Sequence, residues 1–149
     1  FHFDCVGLNE RSRGFKAAAE NAGIAEECEV FVAEEISFEA VERIFGDRTG
    51  DFSLVIGSDD RIACRLLRVL AARKIRVPEQ VSVMSFENTE LACLTTPQLS
   101  VIGPSSYQIG MIGTMELLNQ ISAQKGGQLH PNGTLDLKLI PRGSTHARV

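Results

Sequence analysis

The chain has 149 residues, 44% of them apolar, which is the size and hydrophobicity of a single domain with one core. Its formal net charge of −4 and the lack of any basic run exclude a phosphate-neutralising surface of its own. No stretch is long and apolar enough to cross a membrane, and Phe1 to Asp4 show neither an initiator Met nor the start of a secretory signal. The expectation is a piece of a longer, soluble gene product.

Helix and strand signals alternate. Phe15, Ala18, Ala19 and Ala22 recur at helical spacing, with Asn9 as the expected N-cap and Gly23 in the left-handed position past the end. Glu29 to Ala33 reads as a short strand. Ser37 opens a second helix with Phe38, Val41 and Phe45 on one face, and Gly46 to Asp51 is a polar turn. Phe52 to Gly57 is an apolar run of the kind buried on both faces of a parallel sheet. A third helix is expected from about Asp60 to Arg73, with Ala63, Leu66, Leu67 and Leu70 inward. Pro78 marks a loop, and Val81 to Phe86 is the next buried strand. The order is that of an α/β sheet with crossover helices.

The last third differs. Glu87 to Pro97 is a polar-rich connection, and Leu99 to Ile102 is extended up to Gly103-Pro104. A long helix from about Tyr107 to Ile121 carries Ile109, Ile112, Met115, Leu118 and Ile121. A Gly-rich loop follows from Ala123 to Gly133, and Leu135 to Ile140 alternates like an edge strand with one wet face.

In open parallel sheets, ligands bind beyond the carboxyl ends of the strands. Two such ends are polar here: Ser58-Asp59-Asp60 and Glu87-Asn88-Thr89-Glu90. One reading makes Asp59 or Asp60 a helix cap. The other makes carboxylates at adjacent strand ends accept hydrogen bonds from a polyol-like ligand, with Arg11 or Arg13 as the opposing donor. Catalytic patterns are missing: there is no G-x-S-x-G elbow, Walker loop or dinucleotide fingerprint, and His2, His130 and His146 lie apart. The expectation is therefore not an enzyme, with neither metal nor cofactor. Cys5, Cys28, Cys64 and Cys93 are irregularly spaced, without metal-ligand patterns, and read as buried apolar residues in a reducing cytoplasm. Asn132-Gly133-Thr134 reads as a turn rather than a glycosylation site.

Five blocks together resemble the LacI/GalR family of bacterial transcription regulators. Glu10-Arg11-Ser12-Arg13-Gly14-Phe15 is similar to E-R-x-x-G-F, and Ser58-Asp59-Asp60-Arg61-Ile62-Ala63 to A-N-D-x-x-A. Arg76 to Ala92 resembles R-V-P-E-D-I-S-V-V-G-F-D-D-T-E-L-A. Thr96 to Ile102 resembles T-P-P-L-T-T-V, and Arg142-Gly143-Ser144-Thr145 the closing R-x-S-T. The resemblance implies an α/β parallel-sheet three-layer sandwich of the periplasmic-binding-protein-like type I. This chain would be its C-terminal subdomain (1–98), a crossover with a helix returning to the N-terminal subdomain (99–122), and a loop, edge strand and tail (123–149).

The resemblance also implies the site. Its effector-holding positions map onto Arg11, Asp59 and Glu87, with Asp60, Ile36 and Phe86 supporting the cleft and Leu66, Leu91 and Leu94 at a homodimer interface. Asp59 stands where the family has Asn, Glu87 where it has the shorter Asp, and Ser85 where it has Gly. Ile36 replaces a ring-stacking aromatic, and Pro104 a polar crossover residue. Lys74 takes a Gly position after the third helix, which predicts a strained left-handed backbone. The implied partners are a small-molecule effector, a sugar or other polar metabolite, and operator DNA through a segment outside this chain. The alternative is an extracytoplasmic solute-binding protein of the same fold, which would need a secretory signal upstream of Phe1.

Overall fold

The computed structural model describes residues 2–3, 6–33, 35, 37–124 and 135–147. Its elements in order are β1 (His2–Phe3), α1 (Val6–Asn21), β2 (Val32–Ala33), α2 (Phe38–Phe45), β3 (Leu54–Gly57), α3 (Asp60–Ala72), β4 (Ser82–Phe86), α4 (Glu90–Leu94), β5 (Ser100–Gly103), α5 (Ser106–Gln124) and β6 (Lys138–Ile140). β1 and β2 pair in parallel, and a four-stranded sheet runs β3-β4-β5-β6, parallel except for the antiparallel edge strand β6. This is the expected open α/β sheet with flanking helices. Ile36 and the Gly-rich loop beyond Gln124, with His130 and Asn132, lie outside the described residues.

Pattern and packing agree best in the middle of the chain. Ser37 caps α2 by accepting from the Ala40 N–H, and Val41 and Phe45 are fully buried. On α3, Ala63, Leu66, Leu67 and Leu70 all face inward as expected, joined by Ile62 and Val69. They pack on Val55, Val83 and Val101, one from each parallel strand of the sheet. Each fully buried aliphatic side chain is worth about 1.5–3 kcal/mol, so this α2–α3–sheet layer is the main source of stability. Arg48 closes its edge, stacking on Phe31 and Phe52 while pairing with Glu29 and Asp51.

Four expectations change. α1 starts at Val6, so Asn9 lies inside the helix and is not its cap; a helix-start residue type carries no signal when the helical run extends upstream of it. β3 is buried on one face only: Val55 is covered by α3, whereas Leu54 is exposed and Ile56 half-buried. The Glu87–Pro97 connection contains a short helix, α4, with Ala92 buried as its anchor. Cysteines are not uniformly buried: Cys28 and Cys64 are half-buried and Cys93 is exposed on α4.

Two backbone positions behave as their sequence implied. Gly23 (φ 71) and Lys74 (φ 58) both sit in the left-handed region just past a helix. In each, the next two N–H groups return to the last turn: Gly23 to Glu20 and Ile24 to Ala19, Lys74 to Ala71 and Ile75 to Leu70. That is the Schellman closure in which Gly is favoured.

Candidate functional site

The site forms where β3 and β4 end. Gly57 closes β3 against the first turn of α3; a Cβ there would lie 2.6 Å from the Ala63 nitrogen, so only glycine lets the strand run so close to the helix. The next residues are thereby aimed at α1. Arg11 reaches across from α1 and donates to the Ser58 carbonyl at 2.6 Å. The same guanidinium approaches the Glu87 carboxylate at 3.4 and 3.5 Å and lies 5.9 Å from the centre of the Phe86 ring. The long ion pair is loose and half-exposed, with side chains 34% and 38% accessible, so it holds little energy of its own. Both partners retain bonding capacity.

Arg11 borders a cavity of about 700 Å³ that runs along β3 from Phe52 to Ser58, with Phe15 of α1, Phe31 and Phe86 also on its wall, whereas Glu87 borders a smaller opening of about 280 Å³ with Asp60, Arg61 and Thr89. The Ser58 hydroxyl is buried and has no hydrogen-bond partner, which costs about 1–3 kcal/mol. Ser58 was not singled out in the sequence. Its signal was a hydroxyl where the resembled motif has Ala, at a strand end.

The other expected residues are placed as follows. Asp59, not Asp60, caps α3: one oxygen accepts from Ile62 N–H at 2.9 Å and the other from Arg61 at 2.9 Å. Its side chain is only 2% exposed, so it is committed to the helix start rather than to the opening. Asp60 is fully buried and accepts from the Ser85 hydroxyl and from the Thr89 N–H and hydroxyl. Arg13 is turned to its own helix neighbour Glu10 and is not the site's donor. Phe86 is half-buried under Arg11. Pro104 ends β5 and does not border the cavity.

Of the expected interface residues, Leu91 and Leu94 are exposed on α4. Leu66 is corrected: it is fully buried in the core, because it shares the inward α3 face with Ile62 and Leu70, and no partner can reach it. Among the described residues, no group of three His, Cys, Asp or Glu converges as a metal site.

A second network ties the site to the end of the chain. Arg142 donates to the Leu99 carbonyl and to Asn88 Oδ1, both at 2.7 Å. Ser144 inserts between β4 and β5, its hydroxyl donating to the Val83 carbonyl and accepting from Ser100 N–H. The R-x-S-T block is thus a fastening between strands.

The periplasmic binding protein-like domain profile matches residues 3–145. The chain belongs to that family. Among its relatives, the HTH-type transcriptional repressor CytR of Escherichia coli (strain K12) is 28% identical over 140 residues, covering 92% of this chain and 40% of the relative. The HTH-type transcriptional regulator AscG of the same organism is 32% identical over 145 residues, covering 91% of this chain and 40% of the relative. Among solved structures, a sugar-binding LacI-family regulator from Escherichia coli in complex with phosphate superposes with a TM-score of 0.76 at 28% identity. It covers 93% of this chain and 50% of that one. The Escherichia coli repressor ascG gives 0.73 at 31% identity, with 93% and 50% covered. The resemblance to LacI-type regulators is borne out, and the chain spans about half or less of the length of these family members.

Proposed function

We propose that this chain is the ligand-sensing and dimerising part of a LacI-type transcription regulator that answers to a small polar effector. The observation that carries the reading is the meeting of Arg11 with Glu87, 76 residues apart in sequence, at the carboxyl ends of β3 and β4, with an opening on either side of the pair, one bordered by Arg11 and the other by Glu87. Arg11 donates to the effector and Glu87 accepts from it. Asp59 acts from behind, holding the α3 start and Arg61. A single carboxylate facing Arg11 suits a neutral hydroxylated ligand such as a sugar, not a strongly cationic one. Relatives named as regulators favour a cytoplasmic sensor without catalysis over a transporter's binding protein. Operator contact belongs to a segment outside residues 1–149, and α5 packs on the half of the effector domain that this chain does not supply. Leu91 and Leu94, exposed on α4, form part of the dimer contact.

The test is calorimetric titration of the intact protein with neutral hexoses, pentoses, nucleosides and simple amines. A hydroxylated neutral ligand is expected to bind, and Arg11→Ala to weaken it by about 10- to 100-fold, the worth of one hydrogen bond to a charged group. Binding of amines alone, or binding indifferent to Arg11, would overturn the assignment.

A further inference from the structure

Glu87 has φ 110, a backbone region that glutamate rarely adopts and that costs free energy unless neighbours enforce it. What enforces it is visible. The Asp60 carboxylate accepts from Ser85 through one oxygen and from the backbone and hydroxyl of Thr89 through the other. One buried side chain thus pins the residues on both sides of Phe86-Glu87-Asn88. From β5, Ile102 accepts the Glu87 N–H at 2.9 Å. The Glu87 carbonyl then lies so close to Gly103 that a Cβ there would be 2.0 Å from its oxygen. Asn88 is held separately by Arg142.

We propose that Asp60, through Ser85 and Thr89, is the positioning residue that forces the 86–88 turn into its strained form and so sets where the Glu87 carboxylate and the Phe86 ring face Arg11. The Asp60 carboxylate is spent on these three bonds. It acts on specificity by fixing the acceptor opposite Arg11, and in that respect it rests on the effector reading above. Ser85 has its own place in the device: its hydroxyl supplies one of the two pins, a bond that glycine at this position cannot make.

The clamp is testable without any ligand. Alanine at position 87 keeps the strain and glycine relieves it, and neither keeps the carboxylate, so their difference reports the strain less glycine's extra unfolded-state entropy, a cost that cancels between backgrounds. In the intact protein, Glu87→Gly is expected to melt roughly 2–4 °C above Glu87→Ala. In the Asp60→Asn background, where the amide cannot accept from both partners, the turn relaxes and the order disappears or reverses. Should Asp60→Asn fail to fold, the Ser85→Ala/Thr89→Ala pair, which keeps the carboxylate and the bond from the Thr89 N–H, takes its place, with the glycine advantage expected to shrink rather than vanish. A glycine advantage of equal size in both backgrounds would overturn the proposal, since a residue that merely stabilises α3 lowers both variants alike. A failed ligand titration sinks the effector reading and leaves the clamp standing. An unchanged glycine advantage does the opposite.

Discussion

Lys74 and Gly23 close two helices with the same hydrogen bonds and nearly the same φ, yet only one is glycine. A side chain in this region costs about 1–2 kcal/mol, because its Cβ crowds the backbone. Lys74→Gly is therefore expected to raise the melting temperature by roughly 2–4 °C and Gly23→Ala to lower it similarly, by calorimetry. Thiols give a second residue-scale outcome. Burial, with Asp60 and Asp59 adding negative charge, pushes the Cys64 thiol up from its ordinary range, so less of it is the reactive thiolate. With a maleimide at mildly alkaline pH, the exposed Cys93 should react well before Cys64; equal rates would contradict the packing of α3.

At the scale of elements, the start of α3 is the most exacting. Asp59→Ala removes the cap and the Arg61 pairing together, and the expected loss is about 1–2 kcal/mol, nearly all from the cap because the Arg61 end is exposed. Asp59→Asn keeps the capping oxygen and should cost a few tenths; urea unfolding of both variants separates cap from charge. The sequence could not decide between Asp59 and Asp60, since a capping carboxylate and one reaching to β4 are the same residue type. Periodicity was decisive where an element buries one clean face: α2, α3, β4 and β5 appear where Val41, Leu66, Val83 and Val101 place them. It failed for α4, whose five residues are too few to show a period. The strained Glu87 was also illegible, because positive φ is imposed by Asp60, Ile102 and Gly103 from elsewhere in the chain. Strand-end polarity offered Arg11 beside Arg13 and Glu87 beside its neighbours, and the resemblance singled out the pair; spacing alone does not bring residues so far apart together.

On the scale of the whole molecule, apolar surface is unevenly finished. Tyr107, Ile109, Met111, Met115, Leu117, Leu118 and Ile121 are all exposed on α5, where no described residue is buried. Leu135, Leu137 and Leu139, whose alternation reads as an inward face, are exposed as well. A contiguous apolar surface of this kind marks a contact with another element, and a helix with Gly110 and Gly113 in its interior and no packed face is marginal in water. If α5 is covered by the remainder of a two-part effector domain, its amide protection belongs to the intact protein. Hydrogen exchange should then show α5 as protected as α3 in the intact protein, but exchanging far faster than α3 in residues 1–149 alone. Leu118→Lys should weaken the intact protein while leaving exchange in α3 of the isolated chain unchanged. Equal protection of α5 and α3 in the isolated chain would mean that the helix needs no cover, and the two-part arrangement would lose its physical basis.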